Sequence, residues 1–143
     1  MSIVTGRDFL AILLEGTEPF ADSGALTGRM MSDTDRAVAN RQVWEELIAN
    51  LLDLRSLEDD WDGQGAKAPP QDLVDSAIKL ACLLRDNRVI PAHYAIASVN
   101  GTVHLEWVKA HRSLDVEIIA PGLAEVCPVD LHADPVAFGV YRW

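Results

Sequence analysis

The chain has 143 residues, and 12 Lys+Arg against 22 Asp+Glu leave it a formal charge of −10. With 49% hydrophobic and 24% charged residues, it has the composition of one folded domain, which excludes wholesale disorder. A chain of this length buries roughly 68–70% of the surface it exposes when unfolded, so neither a metal nor a disulfide is needed to hold a core.

The basic residues are scattered, whereas a phosphate backbone is engaged by clustered Lys and Arg. Direct nucleic-acid binding is therefore not expected. A pI near 4.6 suits docking on a basic protein surface or plain solvation. No apolar run approaches the ~18–20 residues of a membrane span, and no basic leader with a cleavage site is visible. Cys82 and Cys127 stand far apart inside apolar runs, which reads as two buried free thiols in a reducing compartment. The expected setting is cytoplasmic.

Three parts follow in chain order. Residues 1–32 form an arm: 7–15 make a short helix around Phe9, Leu10, Leu13 and Leu14, and the Gly-containing stretch after it reads as a long, partly mobile loop. Residues 33–129 form an α+β domain. Its first helix is capped by Asp33 or Asp35, runs to about residue 57, and carries a stripe at Val38, Trp44, Leu47, Ile48, Leu51, Leu52 and Leu54. The second begins after Pro69-Pro70, places Asp72 where the helix dipole favours an anion, and buries Leu73, Val74, Ala77, Ile78, Ala81 and Leu84.

Beyond Pro91 the apolar period changes from 3.6 to 2, giving an antiparallel meander of three to four strands ending near Val129. Asn100-Gly101 reads as a two-residue hairpin loop, because a type I′ turn needs positive φ at both central positions. That register sets Ile96 opposite Leu105 and Tyr94 opposite Trp107. A second loop at Ala110-His111 sets Trp107 opposite Leu114 and Leu105 opposite Val116. One face then holds Tyr94, Ile96, Val103, Leu105, Trp107, Leu114, Val116 and Ile118, to be covered by both helices in a two-layer sandwich. The other face holds Ala95, Ala97, His104, Glu106, Asp115 and Glu117. Residues 130–143, with Phe138, Tyr141 and Trp143, form an aromatic tail that packs on its own domain or serves a homodimer.

The inter-helix stretch Glu58-Asp59-Asp60-Trp61-Asp62-Gly63-Gln64-Gly65-Ala66 looks chosen. Two nearby glycines permit backbone angles closed to other residues, Asp62 can bond backbone amides in a turn, and Trp61 is expected to wedge between helix and sheet. The spacing is neither that of a calcium loop nor that of a phosphate loop. His93, His104, His111 and His132 show no ligand spacing, so no metal or cofactor is expected.

Trp61-Asp62-Gly63-Gln64-Gly65-Ala66 with Pro69-Pro70, then Leu105-Glu106-Trp107 and Leu114-Asp115-Val116-Glu117-Ile118, resembles a family of small bacterial proteins of uncharacterised function. That family has a Trp-Asp-Gly-x-Gly-Ala motif, a helix and a Leu-Glu-Trp hairpin. The resemblance spans roughly residues 47–129 and implies architecture and a bacterial, cytosolic setting. It implies no activity and no site residue.

With no nucleophile–base or metal constellation, the reading favoured by the sequence is a non-catalytic, acidic interaction module that docks on or inhibits a basic protein, as an antitoxin or immunity-like protein does. Asp59, Asp60, Asp62, His104, Glu106, Asp115 and Glu117 are the expected partner-binding set; Trp61, Gly63, Gly65 and Trp107 are structural. A nucleic-acid mimic presenting Glu58, Asp59, Asp60 and Asp62 is an alternative. So is a carboxylate- or metal-dependent hydrolase in which Asp62, Glu106 and Glu117 converge.

Overall fold

A computed structural model describes residues 2–4, 32–109, 112–130 and 139–143. Its elements are β1 (Ser2–Val4), α1 (Asp33–Asp53) with a 3-10 turn at Leu54–Ser56, α2 (Gln71–Asp86), β2 (Tyr94–Ala97), β3 (Val103–Lys109), β4 (Arg112–Ala120), β5 (Leu123–Asp130) and β6 (Gly139–Arg142). The helix expected at residues 7–15 lies outside the described residues, as do His111, His132 and Phe138. The architecture is α+β, with both helices against one face of a sheet ordered β1-β6-β5-β4-β3-β2. The expected meander is β2 to β5. The tail adds β6 antiparallel to β5, and β1 then pairs parallel to β6, so the strand count exceeds the expected four.

Ser32, not Asp33 or Asp35, caps α1: its Oγ accepts from the Asp35 amide at 3.1 Å and donates to the Asp35 carboxylate at 2.7 Å. A cap residue must stand just outside the helix with extended backbone, and Ser32 does, at φ −64°, ψ 156°. The stripe of α1 is narrower than expected. Trp44, Leu47 and Leu51 are buried, but Val38 and Leu52 are exposed. Leu52 sits ~100° round the helix from Leu51, and every residue from 33 to 38 is exposed. In α2 the buried face also includes Leu80 and Ser76. Ser76 anchors two segments, its Oγ accepting from the Gly122 amide at 2.6 Å and its carbonyl from Trp143 Nε1 at 3.2 Å.

A non-glycine left-handed residue ends α2. Arg88 (φ 60°) occupies the position usually given to glycine after a helix. The Val89 amide reaches back to the Leu84 carbonyl at 3.0 Å and the Arg88 amide to Arg85 at 3.0 Å. This reversal aims two carbonyls into the core, where Trp44 Nε1 donates to Val89 at 2.8 Å and Trp107 Nε1 to Ile90 at 2.7 Å. The two indoles meet edge-on, centroids 6.3 Å apart. An indole N–H needs a partner when buried, and these two carbonyls fix both the α2–β2 connection and the seating of β3.

The second hairpin has the expected register: Trp107 opposes Leu114 and Leu105 opposes Val116. The first does not. Ala95 opposes Leu105, Ile96 opposes His104 and Tyr94 opposes Glu106. The loop holds three residues, not two: the Ser98 amide donates to the Thr102 carbonyl at 2.9 Å and Gly101 alone takes positive φ (83°). A turn followed by one left-handed residue is the usual three-residue hairpin. Because side chains alternate with period two, this one-residue change inverts β2. Ala95 now faces the core with Val103, Leu105, Trp107, Leu114, Val116 and Ile118, while Tyr94 and Ile96 turn outward, 55% and 46% exposed.

Candidate functional site

The outer face is built by alternation across β2–β5, which sends Tyr94, Ile96, His104, Glu106, Val108, Asp115, Glu117 and Glu125 away from the helices. Glu106 stands directly opposite Asp115, as expected, and Glu117 is flanked by His104 on one side and Glu125 on the other. Like charges directly across a ladder repel, so the face carries two acidic pairs. Cys127 opposes Asp115 and is half-buried, as is Cys82; neither thiol sits fully in the core as expected, Cys127 because Ala124 and Val126 take the inward positions.

His104 relieves part of this repulsion. Its Nδ1 lies 2.8 Å and 3.1 Å from the two Asp115 carboxylate oxygens, and Nε2 lies 3.5 Å from Glu117 Oε1. The hydrogen bond to Asp115 raises the imidazole pKa above its usual 6.5, partly opposed by burial and reinforced by the fields of Asp115, Glu117 and Glu106. The second partner of Glu117 is Thr102, whose Oγ1 donates to it at 2.8 Å and in turn accepts from Ser98 Oγ at 2.7 Å. Both ion pairs of this face among the described residues run to His104. Glu106 takes part in neither.

The inter-helix joint uses its acids differently. Asp62 Oδ1 accepts from the amides of Gln64 at 2.8 Å and Ala66 at 3.0 Å; Asp60 Oδ1 accepts from Gly65 at 2.6 Å, and Asp59 Oδ1 from Ala68 at 3.0 Å. Amide donors stabilise an ionised carboxylate, and those of Gln64 and Ala66 hold Asp62 below the usual carboxylate range. Gly63 and Gly65 have φ of 71° and 88°, and Asp60, at 68°, shares that left-handed conformation. Trp61 is not wedged between helix and sheet. It lies over its own loop, 37% exposed, with Nε1 donating to the Lys67 carbonyl at 3.1 Å. That bond closes the loop locally, so the indole has no need of the core. The joint meets the sheet at its end, where the Lys67 amide donates to the Val99 carbonyl at 2.9 Å.

The expected docking set is therefore split. His104, Glu106, Asp115 and Glu117 share one surface, whereas Asp59, Asp60 and Asp62 serve the joint's backbone. No bond among the described residues brings Asp62 to Glu106 or Glu117, the convergence that a carboxylate hydrolase needs. No His/Cys/Asp/Glu group of metal-site geometry occurs among the described residues, and no helix of theirs is long and apolar enough to cross a membrane. The aromatic tail is used within the chain: Tyr141 is buried in the core and stacks on Trp143 at 5.7 Å.

Alternation along the strand already sets Val108 with His104 and Glu106, but sequence reasoning missed Glu125 and Thr102 as members of the outer face, and set Tyr94 and Ile96 on the wrong side. Alternation continued through Leu123-Ala124-Glu125-Val126 does reach Glu125. No local signal distinguishes the three-residue from the two-residue hairpin. No family model, curated protein or solved structure matches the chain.

Proposed function

We propose that this protein is a non-catalytic interaction module, of the antitoxin or immunity-like inhibitor kind, that docks by its outer sheet face on a basic protein in the cytoplasm. One observation carries the reading: the face combines exposed apolar side chains, Tyr94, Ile96 and Val108, with the carboxylates of Glu106, Asp115, Glu117 and Glu125. Interfaces that hold other proteins join an apolar centre to a polar rim, and a net charge of −10 steers basic partners toward the molecule. A plain solvated sheet face has no need of three exposed hydrophobic side chains beside its acids.

Three of the four acids that a nucleic-acid mimic would present as phosphate substitutes, Asp59, Asp60 and Asp62, are engaged by backbone amides, and this favours the sheet face over that alternative. Affinity capture from a native lysate at low salt tests the reading. Wild-type protein retains a basic partner, and Glu106→Lys with Glu117→Lys loses it. Glu58→Lys, on the joint, retains it. Retention by the sheet double variant, or equal loss with Glu58→Lys, refutes docking by this face.

A further inference from the structure

We infer that the free edge of β2 is where the partner engages, by adding an extended, basic-apolar segment to the sheet as a further strand; this rests on the docking reading above and specifies its geometry.

Among the described residues the edge is open and carries neither charge nor proline. β2 is the last strand of the sheet, paired on one side only, with β3. The Ser98 amide bonds the Thr102 carbonyl at 2.9 Å, continuing the register in which Ile96 opposes His104 and Tyr94 opposes Glu106. Hydrogen-bonded and non-bonded pairs alternate along an antiparallel ladder, so Ile96 and Tyr94 bond β3 while the N–H and C=O groups of Ala95 and Ala97 point outward. The ladder breaks register just before Tyr94, where the His93 amide bonds the Glu106 carbonyl at 2.8 Å. Natural edge strands are blunted by charge, proline or a covering segment. Tyr94-Ala95-Ile96-Ala97 has no charge and no proline, and among the described residues nothing pairs with its outer side before Val99. Past that point the chain uses the same edge itself: Lys67 donates to the Val99 carbonyl and bridges Asn100 in parallel. The edge therefore accepts backbone, and the opening left is Tyr94–Ala97.

The chemistry of the occupant follows from what flanks the opening. A strand added there lies ~4.8 Å from β2 and roughly twice that from β3. Its outward side chains pack on Tyr94 and Ile96, and a long basic side chain reaches across toward Glu106, which makes neither of the ion pairs on this face. Main-chain pairing of this kind supplies affinity while alternate side chains supply specificity. A second copy of this chain fits less well. Joining two β2 edges extends one continuous face and brings two acidic surfaces of like sign together, with no basic row to answer them.

The test uses the full chain, 15N-labelled, titrated with an acetylated, amidated Arg-Val-Arg-Val-Arg-Val-Arg-Val peptide, and a Glu-Val peptide of the same length as control. The expected result is slowed exchange of the Ala95 and Ala97 amides with the Arg-Val peptide only. Ala95→Pro, which deletes an outward N–H that β3 does not use, weakens binding at least tenfold while the melting curve stays cooperative. Tyr94→Lys with Ile96→Lys, which places charge on the edge without altering its backbone, does the same. If Glu106→Lys with Glu117→Lys abolishes binding while Ala95→Pro binds like wild type, the face docks but the edge does not, and this inference fails alone. No response at Ala95 and Ala97 to the Arg-Val peptide also overturns it, whatever the lysate capture shows. A protein that sediments as a dimer and is made monomeric by Ala95→Pro assigns the edge to a second copy and overturns the basic-segment occupant.

Discussion

Ile96→Lys separates the two possible faces of β2. In the observed register Ile96 retains nearly half its surface, 46% exposed, opposite His104. Full burial of an isoleucine side chain is worth roughly 1.5–3 kcal/mol, so the half that is covered here is worth about 1 kcal/mol. The aliphatic stem of lysine recovers part of that while its ammonium stays in water. The expected loss of stability is therefore below about 1 kcal/mol, or roughly 3–5 °C in Tm for a chain of this size. Were Ile96 in the core, as a two-residue turn would place it, an unpaired charge would enter an apolar layer at a cost of several kcal/mol. Urea unfolding followed by tryptophan fluorescence reads the difference, because Trp44 and Trp107 are both buried and report loss of the core. Leu105→Ala, fully buried on β3, sets the scale of a true core change at about 2–5 kcal/mol. A loss above about 3 kcal/mol for Ile96→Lys refutes the register, and with it the outer face built on Tyr94 and Ile96.

Trp44→Phe keeps most of the apolar volume but orphans the buried Val89 carbonyl, and is expected to cost about 2–4 kcal/mol by denaturant titration. Gly63→Ala meets no atom within 4 Å and pays only for its left-handed φ, about 1–2 kcal/mol; Gly122→Ala adds a contact at 2.9 Å with the Trp143 carbonyl and is expected to destabilise more, with the loss of exchange protection concentrated on β6. His104 has a raised pKa, so its contribution is complete below its unfolded pKa near 6.5 and fades as pH rises through the higher folded value. Wild type should show, and His104→Gln should lack, that part of the stability decline on the alkaline side of pH 6.5. Asp62, with a lowered pKa, has the opposite sign: its contribution is present above its unfolded pKa and disappears as pH falls through the folded one. A local probe at Trp61 should register that loss on acidification in wild type and show none of it in Asp62→Asn.

How much of this was legible in the chain depends on the range of the interaction that decides each feature. Both helices, the second hairpin and the opposition of Glu106 to Asp115 follow from periodicity and turn residues close in sequence, so residues 33–129 declare their α+β class unaided. The role of the joint was half legible: Asp62 bonding backbone amides was expected, but Asp59 and Asp60 doing the same, nine and five residues across the loop, requires the folded backbone. What the tertiary structure alone decided is the face of β2. Alternation gives Tyr94/Ile96 and Ala95/Ala97 equal claim to the core, and the choice falls to contacts far along the chain. Trp44 and Trp107 pin the Val89 and Ile90 carbonyls, and Lys67 grips the hairpin at Val99. Those long-range bonds anchor both ends of the segment in the register that turns Ala95 inward and Tyr94 and Ile96 outward, and so set the exposed apolar patch beside the acids.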